Sequence, residues 1–152
     1  CMSCFVWMMK KRRSGKMNEI KFRAWLLHEQ EMCSVALLDI RDRKAFIVRK
    51  DGCEGWRIFS EINLQQYTGE YERNSRQMCQ GDVVQYSGSN GWDTFEIIFE
   101  NGCFITRCIT SPGNYNNEPL SLNSLDFKDH WEIIGNRYQN PELLKGYNDE
   151  NK

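Results

Sequence analysis

The sequence predicts a mainly β protein, with α structure minor, whose short antiparallel strands form a small barrel. Three observations support this fold class. Apolar and polar residues alternate in short runs, Asn-Gly and Asp-Gly pairs separate those runs, and long stretches of helical periodicity are absent. Short strands separated by tight turns are typical of small barrels rather than of parallel sheets.

Composition supports a single globular domain. The chain has 152 residues, of which 40% are hydrophobic and 27% are charged, as in ordinary folded proteins. The longest apolar run, residues 1–9, is about half of the roughly 20 residues that a membrane-spanning helix needs. We therefore expect no membrane insertion.

The first 16 residues differ from the rest of the chain. They carry five basic residues and no acidic one, so a net charge of −1 for the whole sequence leaves −6 on residues 17–152. The positive charge follows the apolar stretch, which is the reverse of a secretory signal. Arg12-Arg13 can be encoded AGGAGG, a ribosome-binding sequence, at a suitable spacing before Met17. We interpret residues 1–16 as a non-native upstream extension, with a basic nucleic-acid-binding arm as the alternative.

The cysteines predict reduced thiols rather than a metal site or disulfides. Five cysteines follow Met17, and they are odd in number, widely spaced and without a C-x-x-C pair. Cys103 and Cys108 are five residues apart, so on one strand they would point to opposite faces. We expect buried thiols that pack as small hydrophobes in a reducing cytoplasm.

Alternation in the first half predicts a series of strands. Ile20–Trp25 reads as a half-buried strand with Lys21, Arg23 and Trp25 on its second face. Further strands are predicted over 32–38, 43–50 and 56–59, the last two joined by a type I′ turn at Asp51-Gly52.

The segment 82–109 gives the clearest prediction. Strands are expected over 82–87, 94–100 and 103–109, and the turns between them are Asn90-Gly91 and Asn101-Gly102. Two Asn-Gly turns between three alternating runs predict an antiparallel meander.

The C-terminal part predicts less regular structure. A polar loop covers 110–119 and a short apolar turn follows over 120–125. A final strand is expected at 131–134, ended by Gly135-Asn136. A short helix is predicted at 141–145, with Asn140 as its N-cap and Pro141 at its first position.

Motifs for known chemistry are missing. The phosphate-binding and dinucleotide-binding glycine patterns do not occur, and the sequence after His28 places Met32 where a zinc-binding helix needs its second histidine. His130 lies near Asp126 and Asp129, which we interpret as solvent-facing residues. We therefore expect no enzymatic activity, no catalytic residues, no metal and no cofactor.

Single-stranded nucleic acids bind to aromatic rings flanked by basic side chains. The available pairs are Trp25 with Arg23 and Trp56 with Arg57. The charge of −6 after Met17 opposes this function on average, because it repels phosphates.

Three motifs in order resemble the YopX family of phage and prophage proteins. The first is Glu19–Trp25, the second joins Gln66–Gly69 to Gly81–Val84, and the third runs from Trp131 to Leu144. The motif positions that we single out, with a structural or a binding role, are Phe22, Arg23, Trp25, Gln66, Tyr67, Thr68, Gly69, Gly81, Asp82, Val83, Trp131, Gly135, Asn136, Asn140 and Pro141.

The resemblance implies a mainly β domain over 17–145, with an SH3-like small β-barrel at about 64–136, additional N-terminal strands or hairpins, and a polar tail at 146–152. The family has no established activity, so it supplies no catalytic residues. Several motif residues have structural explanations. Gly69 and Gly81 would adopt unusual backbone angles beside a hairpin. Trp25, Tyr67 and Trp131 would be core aromatics, and Asn136 and Asn140 would be turn or cap residues.

This chain departs from the family at one turn. The family usually has an Asn-Gly turn between its two central elements, and here the sequence reads Arg73-Asn74-Ser75-Arg76. Because serine tolerates positive φ less well than glycine, we expect a weaker hairpin or another turn type.

Strand-rich sequence with exposed sheet edges and no convergent titratable cluster favours a binding role. We expect a non-enzymatic phage or prophage accessory protein in the cytoplasm of a bacterial host. It would act as a homo-oligomer or by binding an unknown phage or host protein. The alternative is a nucleic-acid-binding module that uses the SH3-like barrel.

Overall fold

The computed structural model describes residues 19–88, 91–110, 120–121 and 128–145, and in these ranges the chain forms two antiparallel sheets. The first sheet contains β1 (Phe22–Leu26), β2 (Glu31–Asp39), β3 (Lys44–Val48), β4 (Glu54–Ile58), β5 (Ile62–Tyr71) and β6 (Gln77–Cys79). The second contains β7 (Asp82–Gly88), β8 (Gly91–Glu100), β9 (Cys103–Cys108), β10 (Leu120–Ser121) and β11 (Trp131–Asn136). Short 3₁₀ helices lie at Phe59–Glu61, Lys128–His130 and Pro141–Leu144.

The first sheet has the strand order β4-β3-β2-β1-β5-β6, so β4 lies at one edge. Alternation places one face of β1, β2, β3 and β5 in a common apolar core. That core consists of Ala24, Leu26, Cys33, Ala45, Ile47 and Ile62. The four predicted N-terminal strands are therefore present, within one or two residues of their expected bounds.

The prediction that β1 is half-buried is wrong, because both of its faces are covered. Ala24 and Leu26 point into the apolar core. On the opposite face, the buried ring of Trp25 stacks on Tyr138, with 5.6 Å between the ring centroids. The packing partner of this face is more than 100 residues away in the sequence, so local alternation could not reveal it.

The hairpin between β3 and β4 forms, but its turn is not type I′. A type I′ turn needs positive φ at both central residues, and here Gly52 has φ +86° whereas Asp51 is not in this region. The N–H of Gly52 donates to the carbonyl of Arg49, and the N–H of Arg49 donates to the carbonyl of Cys53. This pattern is a longer loop with one glycine in the left-handed region.

The second sheet confirms the predicted meander over 82–109. Its strand order is β10-β9-β8-β7-β11, and its core consists of Val84, Phe95, Ile97 and Trp131 together with Met78 from β6 of the first sheet. Asn101 and Gly102 have φ of +51° and +79°, as a type I′ turn requires. Asn90 lies outside the described residues.

The mainly β fold is confirmed, whereas the closed barrel is not found. Among the described strands, both sheets are open, and β10 and β11 form the two ends of the second one. Leu120 belongs to strand β10, which pairs with β9, instead of to the predicted apolar turn. Residues 122–127 and most of the predicted polar loop lie outside the described ranges.

The C-terminal prediction needs two corrections. Strand β11 does not end before Gly135-Asn136 but continues through them, with a bulge. The segment Pro141–Leu144 is a 3₁₀ helix, and the side chain of Asn140 does not cap it. Asn140 Oδ1 instead accepts a hydrogen bond from the N–H of Asn136 at 3.3 Å, so it faces the strand.

The predicted extension at 1–16, Met17 and the tail at 146–152 lie outside the described residues. In the part of the chain that is described, no helix is both long and apolar enough to cross a membrane.

Candidate functional site

A buried polar cluster joins the two sheets, and we call it the Arg23 cluster. It contains Arg23 on β1, Gln65 on β5, and Gln80 and Asp82 at the start of the second sheet. Arg23 Nε donates to Gln65 Oε1 at 2.6 Å, and Arg23 Nη2 donates to Asp82 Oδ1 at 2.5 Å. The same nitrogen lies 3.4 Å from the carbonyl oxygen of Gln80. One guanidinium therefore contacts two other segments of the chain, one at Gln65 and one at Gln80 and Asp82.

Asp82 is held from both sides. Its Oδ1 accepts from Arg23, and its Oδ2 accepts the N–H of Cys79 at 2.9 Å. Burial raises the pKa of Asp82, although the Arg23 guanidinium opposes this effect. The arrangement is a buried ion pair with additional hydrogen bonds, in which removal of one partner leaves an uncompensated charge.

The neighbouring thiol of Cys79 is not a reactive nucleophile. It is buried, its Sγ donates to the carbonyl of Gln66 at 3.3 Å, and burial raises its pKa to about 12. A thiol with such a pKa stays protonated at neutral pH, whereas the thiolate is the reactive form. The prediction of buried thiols is confirmed for Cys33 and Cys79, but Cys53 and Cys103 are exposed because they occupy or adjoin turns.

A cavity of about 340 Å³ opens beside the Arg23 cluster. Residues from all three sequence motifs line it, and we call it the motif cavity. Those motif residues are Arg23, Tyr67, Asp82, Gly135 and Asn136. Arg76, Gln77 and Gln139 add further polar side chains to the lining.

The turn that departs from the family pattern is built around Glu72. Ser75 has φ +61°, and its N–H donates to the carbonyl of Glu72 at 2.9 Å. Glu72 Oε1 accepts the N–H groups of Asn74 and Arg76 at 2.9 and 3.1 Å. The expectation of another turn type is confirmed, since a buried carboxylate holds the loop instead of an Asn-Gly pair.

Glu72 also ties this turn to the second sheet. The guanidinium of Arg76 lies 3.2 Å from Glu72 Oε2 and donates to the carbonyl of Ile133 at 2.9 Å. Burial acts to raise the pKa of Glu72, but hydrogen bonds from Arg76 and from the backbone outweigh it and lower the pKa. The carboxylate is therefore favoured in its charged form.

A second candidate surface lies on the outward face of β2, β3 and β4. Register aligns Leu37 with Phe46 and Phe46 with Trp56, and it places Ile58 beside Lys44. Leu37, Trp56 and Ile58 are 59%, 44% and 52% exposed. We call Leu37, Phe46, Trp56 and Ile58 the outer stripe. A contiguous exposed apolar patch of this kind is typical of an interaction site.

The outer stripe continues to an edge of the sheet, since β4 pairs only with β3 among the described strands. The N–H of Phe59 donates to Arg43 and the N–H of Arg49 donates to Cys53. In an antiparallel pair, residues whose backbone groups bond to the neighbouring strand alternate with residues whose backbone groups point away from it. The backbone groups of Glu54, Trp56 and Ile58 therefore point away from β3. The carbonyl of Trp56 accepts one hydrogen bond from its neighbour Arg57, at 3.2 Å.

The remaining motif residues have structural positions. Trp25, Val83 and Trp131 are buried, and Tyr67 is partly buried. Gly69 and Gly81 have φ of +84° and +85°, as predicted for residues beside a hairpin.

Hydrogen bonds fix the polar motif residues. Asn136 Oδ1 accepts the N–H groups of Tyr138 and Gln139, both at 3.0 Å, so Asn136 closes a turn as predicted. Thr68 Oγ1 donates to the carbonyl of Met78 at 3.0 Å. Phe22 and Gln66 are directly paired between β1 and β5, and Pro141 begins the 3₁₀ helix.

The residues considered for other chemistry do not converge. His130 is exposed, with its Nδ1 3.4 Å from Ser87 Oγ, and Asp126 lies outside the described residues. Of the two proposed stacking pairs, Trp25 is buried against Tyr138 and only Trp56 presents its ring to solvent. Within the described ranges, no three His, Cys, Asp or Glu side chains are grouped as metal ligands.

Sequence reasoning missed Gln65, Glu72 and Arg76, and it did not recognise the outer stripe. A signal existed for the stripe, because Trp56 and Ile58 alternate with Arg57 on a short strand next to a tight turn. The other three residues are polar side chains in a β segment, where sequence alone favours exposure.

Comparison with known proteins agrees with this architecture. The family model described as YopX protein matches residues 21–145. The crystal structure of protein EF1440 from Enterococcus faecalis is similar in fold, with a TM-score of 0.56 and 22% sequence identity over 84% of this chain and 99% of that chain. No curated protein matches the sequence. Because the family model spans most of the sequence, the chain belongs to the YopX family.

Proposed function

We propose that this protein is a non-enzymatic accessory protein of a phage or prophage that acts in the bacterial cytoplasm by self-association. An SH3-like character of residues 64–136 is part of the same proposal. The observation that supports it is the outer stripe, an exposed apolar surface that reaches β4, the edge strand of the described first sheet. An edge strand with apolar neighbours is a template for pairing with another strand.

The occupant that we infer is a second copy of the same chain. Two copies of β4 related by a two-fold axis are antiparallel, which is the arrangement that the rest of this sheet uses. The outward-facing residues are Glu54, Trp56 and Ile58. When Trp56 lies opposite Trp56 of the second copy, the backbone groups of Glu54, Trp56 and Ile58 all form hydrogen bonds between the two β4 strands. A shift of the register by two residues leaves one of these three residues without a partner in the second copy.

Side-chain chemistry favours the same register. Gly55 would lie opposite Arg57 of the second copy, so the long side chain meets no obstruction. A shift that places Arg57 opposite Arg57 would oppose two like charges, which is destabilising. The centred register also joins the two outer stripes into one apolar surface.

Size-exclusion chromatography with light scattering tests this proposal. We expect a dimer of the full chain at tens of micromolar. Ile58→Glu should give a monomer, because its carboxylate would face Glu54 of the second copy. Trp92→Glu is the matched control, since Trp92 is similarly exposed, at 53%, but lies on β8 of the other sheet, and it should remain dimeric.

A charge reversal then tests the register. In the double variant Glu54→Lys/Ile58→Glu, each new lysine faces a new glutamate of the second copy, and the dimer should return. A monomeric native protein would refute self-association. An Ile58→Glu protein that stays dimeric would refute this interface.

The alternative, nucleic-acid binding, has one supporting observation. Trp56 presents an exposed ring with Lys44 Nζ 4.9 Å from its centroid, which combines a stacking surface with a cation. A mobility shift with single- or double-stranded DNA at about 50 mM salt, where phosphate contacts are strong, would support it. Absence of a shift under these conditions would eliminate it.

A further inference from the structure

The outer edge of β11 is occupied by groups that do not belong to a strand. Among the described strands, β11 pairs only with β7, and its second edge faces away from the sheet. On that edge, the carbonyl of Trp131 accepts the N–H of Arg73 at 3.0 Å. The N–H of Ile133 donates to Glu72 Oε2 at 3.4 Å, and the carbonyl of Ile133 accepts the guanidinium of Arg76 at 2.9 Å. These are the backbone groups to which an added strand would bind.

The far end of the same edge is closed by the turn that follows β11. The N–H of Asn136 donates to Asn140 Oδ1 at 3.3 Å, and the carbonyl of Asn136 accepts the N–H of Asn140 at 2.8 Å. The edge of β4 is different. In the described part of the chain, its outward backbone groups receive a single contact, from Arg57 to the carbonyl of Trp56. The two sheet edges therefore differ in how far they are protected.

The tip of the hairpin between β5 and β6, residues 72–76, supplies the contacts with Trp131 and Ile133, and we call it the hairpin tip. Apart from the buried Glu72, its residues are exposed, so apolar burial does not hold it in place. Both contacts with Ile133 depend on the side chains of Glu72 and Arg76, which also bond to each other. A segment with few buried apolar contacts opens at a low cost in free energy.

We propose that the hairpin tip protects the edge of β11, and that β11 becomes a second self-pairing strand when the tip is released. The partner would be β11 of another copy, because a two-fold axis makes two β11 strands antiparallel, as β11 and β7 are. Trp131 and Ile133 would then offer their N–H and carbonyl groups to that copy.

Protection of β11 also limits the size of an assembly. A chain that paired at both β4 and β11 would associate without limit, whereas a chain that pairs only at β4 forms a closed dimer. The hairpin tip would therefore keep the association finite. The pairing of a released β11 does not itself rest on the proposed pairing of β4.

Size-exclusion chromatography with light scattering tests the protection in the Ile58→Glu protein, in which the proposed β4 interface is blocked. Adding Glu72→Ala/Arg76→Ala gives the released variant, which has lost the side-chain contacts of the tip with β11. Because the pairing-competent state is then more populated, it should self-associate about tenfold or more tightly than its Ile58→Glu parent. Arg73→Ala is the matched control, since it removes an exposed arginine of the same tip but keeps the backbone N–H that contacts β11. It should behave as the parent does.

A released variant that folds and associates no more tightly than the parent would overturn the proposal. If the released variant does not fold, Arg76→Ala alone in the Ile58→Glu protein decides the matter, because it still frees the carbonyl of Ile133. It too should associate more tightly than the parent, and no gain would overturn the proposal. The comparison is with the parent in each case, so it holds whatever the state of the β4 interface.

Amide hydrogen exchange then locates the association. In the released variant the N–H of Ile133 has lost its acceptor, Glu72, so it should exchange rapidly in dilute solution. It should exchange more slowly as the concentration rises and β11 pairs. An Ile133 exchange rate that is independent of concentration in an associating variant would overturn the proposal, because the copies would then meet on another surface.

Discussion

Arg23 and Asp82 place charges inside the molecule, whereas Leu37, Trp56 and Ile58 place apolar surface on its outside. The two regions belong to the same first sheet or contact it directly. In the Arg23 cluster, hydrogen bonds to two other chain segments compensate the buried charge. The outer stripe has no such compensation in the described part of the chain. The buried charges of the cluster are therefore paired within one copy, whereas the stripe stays exposed and is the surface to which we propose that a second copy binds.

The comparison also separates stability from association. Residues of the Arg23 cluster connect the two sheets, so changes there should lower the free energy of unfolding. Residues of the outer stripe lie on an exposed face at a sheet edge, so changes there should leave the fold intact and alter what the protein binds.

The largest effect is expected at Asp82. Asp82→Asn would leave the Arg23 guanidinium buried without its carboxylate, and the free energy of unfolding should fall by about 3–5 kcal/mol. The double variant Arg23→Met/Asp82→Asn removes both charges, so it should lose much less than the sum of the two single variants. Urea unfolding of all four proteins measures this coupling. Additive losses would show that the ion pair does not join the sheets.

The Arg23 cluster also shows where sequence reading reaches its limit. Alternation predicted the strands at 82–87 and 94–100, and both form, although residues 82–84 and 94–97 are buried on both faces of the strand. The same rule placed Arg23 and Trp25 on a solvent face, and it failed because their partners Asp82 and Tyr138 come from distant segments. The motif resemblance singled out Arg23, Tyr67, Asp82, Gly135 and Asn136, yet only the fold shows that they line one cavity.

Turn chemistry illustrates the same limit at short range. Asn101-Gly102 is a type I′ turn as predicted, because both residues accept positive φ. The Asp51-Gly52 pair correctly predicted a hairpin at this position, but the turn is not of the predicted type I′. At Ser75 the turn depends on the carboxylate of Glu72, which accepts the N–H groups of Asn74 and Arg76 and is also buried against Ile133 of β11, a contact that the local sequence does not contain.

A second prediction concerns acid stability. The pKa of Glu72 is lowered from its ordinary value of 4.5 in the folded protein, so the charged carboxylate stabilises the fold above that pH. This contribution is lost as the pH falls through the folded-state pKa. Glu72→Gln should therefore cost about 1–3 kcal/mol at pH 7 and progressively less below pH 4.5.

Urea unfolding of both proteins between pH 7 and pH 3 provides the measurement. Asp82 and Glu96 have raised pKa values, but they are present in both proteins and cancel in the difference. A difference that stays constant with pH would show that the charge of Glu72 does not hold the turn.

A smaller effect is expected at Ser75. Its φ of +61° lies in the left-handed region, which glycine occupies without the steric cost of a Cβ. Ser75→Gly should therefore raise the free energy of unfolding by about 0.5–1 kcal/mol. Ser75→Ala is the control, since it also removes the hydroxyl but keeps the Cβ, and it should give no gain. A loss of stability in Ser75→Gly would mean that the serine side chain stabilises the turn.

The smallest effect on unfolding is expected at Ile58, and it tests the comparison most directly. Ile58→Glu places a carboxylate beside Lys44, its neighbour on β3, so the free energy of unfolding of the monomer should change by no more than about 0.5 kcal/mol. Measurement at a concentration where the native protein is also monomeric keeps dissociation out of the result. A loss of several kcal/mol would place Ile58 in the core, and the outer stripe would then be part of the fold rather than a surface for a second copy.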